Sequence, residues 1–335
     1  MATLATNALT IADVTRSIGP DGDAAMIAEL LNQTNAVLDD IPWLPGNLLH
    51  GHRSTVRTTL PTVAARVANV GTSHTKATEA QIDDAAAIFE TKSELDKIVA
   101  ETGGMDMVPI HRANQARAHI EAIGQKMATT LFYGSPAVSE EFVGLANRYN
   151  SLTTGNFIDN VIDAGGTGSD NSSIWLVQWG PGKVHGIYPK GTIGGLERDD
   201  RGLVDIIDAT GIGAATFVGY REYFRWRCGL AVPDWRCVVR IANIDISALV
   251  AMSSFADLTE LMIQALETIP NPDGGRLVFY MNRTVRKGLR LIERNDVQGG
   301  GQLKYEDIAG RRVLMFDNAA VRLVDALTET ESAVT

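Results

Sequence analysis

The chain has 335 residues, 45% hydrophobic and 21% charged, with a formal net charge of −10. Its apolar content supplies a core and excludes a disordered chain, and its length suggests about two domains. The acidic balance argues against a general duplex-DNA binder, two cysteines exclude a disulfide scaffold, and no apolar run approaches the ~18 residues of a membrane span.

Residues 1–22 end in Gly19-Pro-Asp-Gly22 and read as an extended arm closed by a turn. Met1–Asp13 has neither a basic nor an apolar leader region, so no signal peptide and a reducing compartment are expected. From Asp23 to Leu38, Ile27, Leu30, Leu31, Thr34 and Leu38 recur at helical spacing. Pro42 and Pro45 stop that helix around Trp43.

Residues 46–80 are rich in Gly, Thr and Ser and poor in large apolar groups. Ser54–Leu60 reads as a strand of an exposed hairpin, with its partner in Thr78–Glu94. Asp83–Phe89 is alanine-rich enough to read equally as helix. A long polar hairpin with a weak core needs a surface to lie on, either its own body or a neighbour.

Ile110–Phe132 is the clearest helix, running roughly 30–35 Å. Ala113, Ala116, Ile120, Ile123, Met127 and Leu131 trace its apolar face, with Arg112, Gln115, Glu121 and Lys126 off it. A glycine-rich loop follows at 164–171. Ile174–Trp179, Val184–Tyr188, Tyr220–Cys228 and Arg236–Ile244 then read as strands. Leu258, Leu261, Met262, Ala265 and Ile269 mark a helix, and Arg276–Met281 a strand. Asn282 is a credible N-cap for a helix to about Arg294, with Val285, Leu289 and Ile292 on its apolar face. Strands at Arg312–Phe316 and Val321–Val324 complete an α+β pattern.

Chemistry-bearing motifs are sparse. Gly211-Ile-Gly213 lacks the third glycine and the following helix of a dinucleotide loop, and reads as a turn. His50 and His52 have no third ligand nearby, and His111 and His119 share a helix face only loosely. Cys228 and Cys237 read as small buried hydrophobes. The acidic doublets Asp39-Asp40, Asp83-Asp84 and Asp199-Asp200 are each placed near a turn or an element end. Nothing nominates a general base, so no enzyme, cofactor or metal site is expected.

Arginine outnumbers lysine 22 to 8, which suits contact surfaces but also fits a coding bias. Tyr220–Arg240 interleaves Arg221, Arg225, Arg227, Arg236 and Arg240 with Tyr223, Phe224, Trp226 and Trp235. It fits a single-strand nucleic-acid platform or a subunit interface. Arg283, Lys287, Arg290 and Arg294 share one helix face and could meet phosphates or a neighbour's carboxylates. With 40 acids in the chain, protein contacts are favoured for both.

Five stretches carry a resemblance: WLPGNLLHGHRSTVRTTLPTVAARVANVG (43–71), ATTLFYGSPAVSEEFVGLANRYN (128–150), SSIWLVQWGPGKVHGIYPKGTIGGLE (172–197), CGLAVPDWRCVVRIANID (228–245) and VFYMNRTVRKGL (278–289). Together they resemble the major capsid proteins of short-tailed, podovirus-like double-stranded DNA bacteriophages, the Bordetella phage type among the candidates. That resemblance implies a Hong Kong 97-like fold. It implies an N-terminal arm at 1–45 and an extended loop at 46–95 that reaches over an adjacent subunit. A peripheral domain would comprise 96–150 and 184–250, with 110–132 as spine helix, and an axial domain 151–183 and 251–330. The strand order would be permuted relative to the prototype, since 184–250 precedes the axial helix–strand–helix.

The implied function is a structural subunit that self-assembles into hexamers and pentamers of an icosahedral virion shell around double-stranded DNA, put together in the bacterial cytoplasm. Scaffold, portal and cement or decoration proteins are the implied partners, with no membrane and no sequence-specific DNA binding. An acidic lumenal surface would keep packaged DNA from sticking. Lys76 is the only lysine in the hairpin loop and finds no matching acid and asparagine for a covalent crosslink, so a non-covalent shell is expected. The expected subunit-interface residues are Arg53 and Arg57 in the hairpin, Arg225 and Arg227, and Arg283, Lys287, Arg290 and Arg294.

Overall fold

A computed structural model describes residues 33–335 apart from 136, 139, 156, 208–215, 254, 296–302 and 309–310. The arm at 1–32, most of the helix expected from Asp23, the Gly211 turn and the glycines at 299–301 lie outside the described residues. In chain order come α1 (Val37–Asp40), β1 (Trp43–Pro45), β2 (Gly51–Thr59), β3 (Thr78–Asp96), α2 (Lys97–Ala100), α3 (Val108–Tyr133) and α4 (Leu145–Arg148). Then follow β4 (Val161–Asp163), β5 (Asn171–Trp179), β6 (His185–Tyr188), β7 (Leu196–Ile207), β8 (Thr216–Ala231) and β9 (Val238–Asp245). The last part holds α5 (Ile246–Ala251), α6 (Leu258–Thr268), β10 (Arg276–Met281), α7 (Arg283–Asn295), β11 (Leu303–Ile308), β12 (Arg311–Phe316) and β13 (Ala319–Leu323). No described helix is long and apolar enough to cross a membrane.

The chain divides into two units. One contains 88–127 and 195–227; the other contains 34–87, 128–194 and 228–335. β3, α3 and β8 each run through both.

The larger unit is built on a seven-stranded sheet in the order β11-β12-β13-β10-β5-β9-β4. β5 is buried along its whole length, as expected of a central strand covered on both faces. On one face Ile174, Leu176, Val239, Ile241 and Phe279 pack against Leu249 of α5, Leu258 and Met262 of α6, and Val285 and Leu289 of α7. On the other, Trp175 meets Phe132 and Tyr149, and Tyr280 meets Phe132 and Trp179, in edge and tilted ring contacts. The helix starts follow local chemistry. Asp257 Oδ1 accepts from the N–H groups of Thr259 (3.0 Å) and Glu260 (3.3 Å), and Asn282 Oδ1 accepts from Val285 N–H (2.7 Å). A second sheet in this unit runs β1-β6-β8-β3-β2, with β1 parallel to β6 (Trp43↔Gly186) and β6 antiparallel to β8 (His185↔Ala231).

In the smaller unit β7 pairs with β8 from Leu196↔Trp226 to Ile207↔Thr216. This is a correction. The doublet Asp199-Asp200, expected near a turn or an element end, lies inside a 12-residue strand. The strand's charged run 198–201 is exposed at every position and carries no apolar alternation to read, although burial alternates from there to Ile206, which is buried. The inner face of α3 also differs. Ala113 and Ile120 are exposed, whereas Arg112 and His119 are partly buried beside Ala116 and Ile123. His119 stacks on Phe224 at 5.9 Å and takes a 2.8 Å hydrogen bond with Thr91, so polar side chains occupy the stripe that apolar spacing assigned to Ile120.

The ambiguous stretch 83–89 is strand within β3, which lies between β8 and β2; β2 pairs with it from Gly51↔Ala85 to Arg57↔Glu79, and the register shifts before Thr59↔Thr78. Pairing overrides the helix preference of its alanines. Asp83 and Asp84 are therefore mid-strand rather than near a turn, and Asp84 is buried.

Candidate subunit-interface surfaces

The β2–β3 hairpin carries Arg53 and Arg57. Arg53 makes a bidentate pair with Asp83, both bonds 2.6 Å, and Arg57 reaches Glu79 at 3.4 Å. The hydrogen-bonding Arg53 guanidinium holds the Asp83 carboxyl below its ordinary range. The acids that pair these two arginines thus come from the chain's own hairpin. At the base, Arg148 Nη2 contacts Asp84 Oδ1 at 2.7 Å, and the His52 and His185 rings meet edge to face at 5.5 Å. Beyond Thr59 the chain leaves its pairing until Thr78. In that span Leu60, Val63 and Val67 are 76%, 92% and 74% exposed, and Lys76 is exposed too.

In the smaller unit Arg225 pairs with Glu90 at 2.5 Å and Arg221 with Glu94 at 2.9 Å. Arg112 bonds Asp200 at 2.5 Å and also Glu222, which Arg198 contacts at 2.8 Å. The Arg112 hydrogen bond lowers the Asp200 pKa. Arg227 is partly buried. In the larger unit Arg236 pairs with Asp234 at 2.9 Å and Arg240 with Glu331 at 2.8 Å. Four of the five arginines of 220–240 are therefore held by acids of the chain, and Phe224 is fully buried. The alternative of an exposed basic-aromatic platform for nucleic acid does not fit this arrangement.

The helix α7 is different. Val285 and Leu289 are fully buried, while Arg283, Lys287, Arg290 and Arg294 are all exposed, one face against the other as their spacing requires. With Arg286 and Leu291 they line a shallow groove of about 360 Å³. Arg283 contacts Asp325 at 3.1 Å and the Arg290 guanidinium lies 5.8 Å over the Tyr305 ring. Arg286 belongs to this groove and was missed because it sits on the flank of the helix, between the two faces. The structure brings the four predicted cations of α7 together in one groove; the hairpin pair is on β2 and the β8 pair belongs to the smaller unit.

A family model described as major capsid protein GP7 matches residues 19–335. The chain belongs to that family of major capsid proteins. A near-atomic structure of bacteriophage Epsilon15 superposes with a TM-score of 0.79 at 27% identity, over 100% of each chain. The capsid of bacteriophage JBD30 shares the fold at a TM-score of 0.50 and 11% identity, covering 89% of this chain and 92% of that one. None of the curated proteins matches. This capsid protein has the Hong Kong 97-like fold, and the virion shell is its location.

Two buried clusters of the capsid protein escaped sequence reading. Arg240 donates to Ser173 Oγ (3.0 Å), to the Tyr149 carbonyl (2.8 Å) and to Glu331 (2.8 Å), and stacks over Trp175 at 5.1 Å. Tyr133 and Ser173 also donate to Glu331. Asp40 is buried, accepts from the Tyr280 hydroxyl at 3.0 Å, and contacts Arg276 at 2.6 Å and Arg322 at 3.6 Å. Burial raises the Asp40 pKa, with the Arg322 and Arg276 charges opposing. Neither cluster has a local signal, since the partners are far apart in sequence. Burial pushes the Cys237 thiol up to about 11 and that of Cys228 higher, so neither is a reactive thiolate near neutral pH. Among the described residues no group of three or more His, Cys, Asp or Glu could hold a metal ion.

Proposed function

We propose that this capsid protein forms hexamers and pentamers and closes an icosahedral shell around double-stranded DNA, with no enzymatic activity. The observation that carries this reading is the outer end of the hairpin. Leu60, Val63, Val67 and Val70 are all largely exposed, on a segment with no strand or helix of its own. Apolar residues left in water at a loop end gain stability when another surface covers them.

Residues 46–95 then act as the extended loop and 1–45 as the arm that orders on neighbours. Residues 96–150 and 184–250 serve as the peripheral domain, and 151–183 and 251–330 as the axial domain. Arg53, Arg57, Arg225 and Arg227 act as interface cations, and Arg283, Lys287, Arg290 and Arg294 line a contact within each capsomer. Scaffold, portal and cement or decoration proteins are the proposed partners.

The test is to replace 60–77 by an Asn-Gly turn, which can close the paired strands at Thr59 and Thr78. The variant should stay folded and soluble yet form no closed shells in negative-stain microscopy. Shells of normal number and size from that variant would overturn the extended-loop assignment.

A further inference from the structure

Helices α6 and α7 lie on the same face of the seven-stranded sheet and share one apolar layer. Their outward faces carry opposite charge. On α6, Asp257, Glu260 and Glu267 are exposed along one side, with Ile263 and Gln264 between them. On α7 the outward side holds Arg283, Lys287, Arg290 and Arg294, with Arg286 in the same groove. Among the described residues, none of Asp257, Glu260, Glu267, Lys287, Arg290 and Arg294 takes part in an ion pair. The two charged faces do not neutralise each other within the chain. They also sit on different parts of the sheet. α6 packs over β9, whereas α7 leaves β10 and leads to the edge strand β11.

We infer that the acidic face of α6 on one copy of this chain docks against the basic face of α7 on the next. This inference rests on the capsomer reading above and names the surfaces that meet there. A contact between two different patches of identical chains is head-to-tail, and head-to-tail contacts close into rings when the rotation permits. Complementary charge gives such a contact its register and suppresses the wrong one, acid on acid or base on base. The charged faces flank apolar Ile263 and Leu291, which supply area at the centre of the contact.

The experiment uses the full chain and two charge-reversed variants. One carries Glu260→Lys and Glu267→Lys, which leaves Asp257 against two lysines; the other carries Arg286→Glu, Lys287→Glu and Arg294→Glu, so that three new acids outnumber Arg283 and Arg290. Asp257 is spared because it caps α6, and Arg290 because it stacks on Tyr305. Circular dichroism and thermal unfolding check that both variants fold as the parent does. Analytical ultracentrifugation and negative-stain microscopy at low salt read the oligomer. Each variant alone should associate at least about tenfold more weakly than the parent, since like charges now face each other. Mixed in equal amounts, the two should form rings again by alternating. Alternation closes only even-numbered rings, so the mixture should give six-membered and no five-membered capsomers.

Either variant forming parental rings alone, or a mixture that restores nothing, would overturn the inference. Variants that assemble normally and lose only retention of DNA would place packaged nucleic acid on α7 and overturn it as well. A parent chain that forms no capsomers under any condition would instead overturn the shell reading itself.

Discussion

Arg240 is 4% exposed and its guanidinium is met by Glu331, Ser173 and the Tyr149 carbonyl. Removing one member of a buried pair leaves the other charged and desolvated. Arg240→Ala should therefore lower stability by about 3–5 kcal/mol, seen as a lower urea midpoint. His185 offers a pH prediction. Burial, followed by the neighbouring His52, lowers its pKa, with Asp84 opposing. The folded state keeps the ring neutral while the unfolded chain takes up a proton near the ordinary imidazole value of about 6.5. Stability from this group is present above that value and is lost as pH falls below it. The urea midpoint should decline from pH 7.5 to 5.5, and His185→Gln should flatten the decline. Residue identities gave little access to either cluster. A lone Arg, His or Glu in a β-rich stretch reads as solvated surface, and only the fold brings 240 to 331 or 52 to 185.

At the scale of elements, the helix–strand–helix α6-β10-α7 was legible because each piece has a cap, a period and a stop. The strand β7 was not, because its Glu, Arg and Asp residues face water on an edge. The long helix α3 was legible in length but not in face, since its inner stripe includes Arg112 and His119. One close contact fixes the helical layer. A Cβ at Gly288 on α7 would lie 2.7 Å from the side chain of Leu249 on α5. Gly288→Ala therefore overpacks this contact, and a loss of about 1–3 kcal/mol is expected from thermal unfolding. A second close approach lies in β8. A Cβ at Gly229 would stand 2.7 Å from the Ala85 carbonyl oxygen of β3. Gly229→Val should cost more than Gly288→Ala, because a backbone atom cannot rotate away as a leucine can.

For the whole molecule, the coat role was legible from five short stretches taken together, while composition alone gave only exclusions. The net charge of −10 is not spread evenly. It leaves one strongly basic helix face in an acidic chain, and single-number charge arithmetic conceals that. The larger unit also ties its two ends together. Ala36 N–H donates to the Leu323 carbonyl at 3.2 Å, Asp325 N–H to the Thr34 carbonyl at 3.0 Å, and Tyr280 to Asp40 at 3.0 Å. These partners stand hundreds of residues apart, so the chain must close very large loops before the contacts form. Folding dominated by such distant pairings is slow, on the order of milliseconds to seconds or longer. A host cell making coat chains in bulk would hold a standing pool of unfinished subunits with open strand edges. Competition between completion and clumping in that pool, rather than the strength of the finished contacts, then sets how many chains reach a particle.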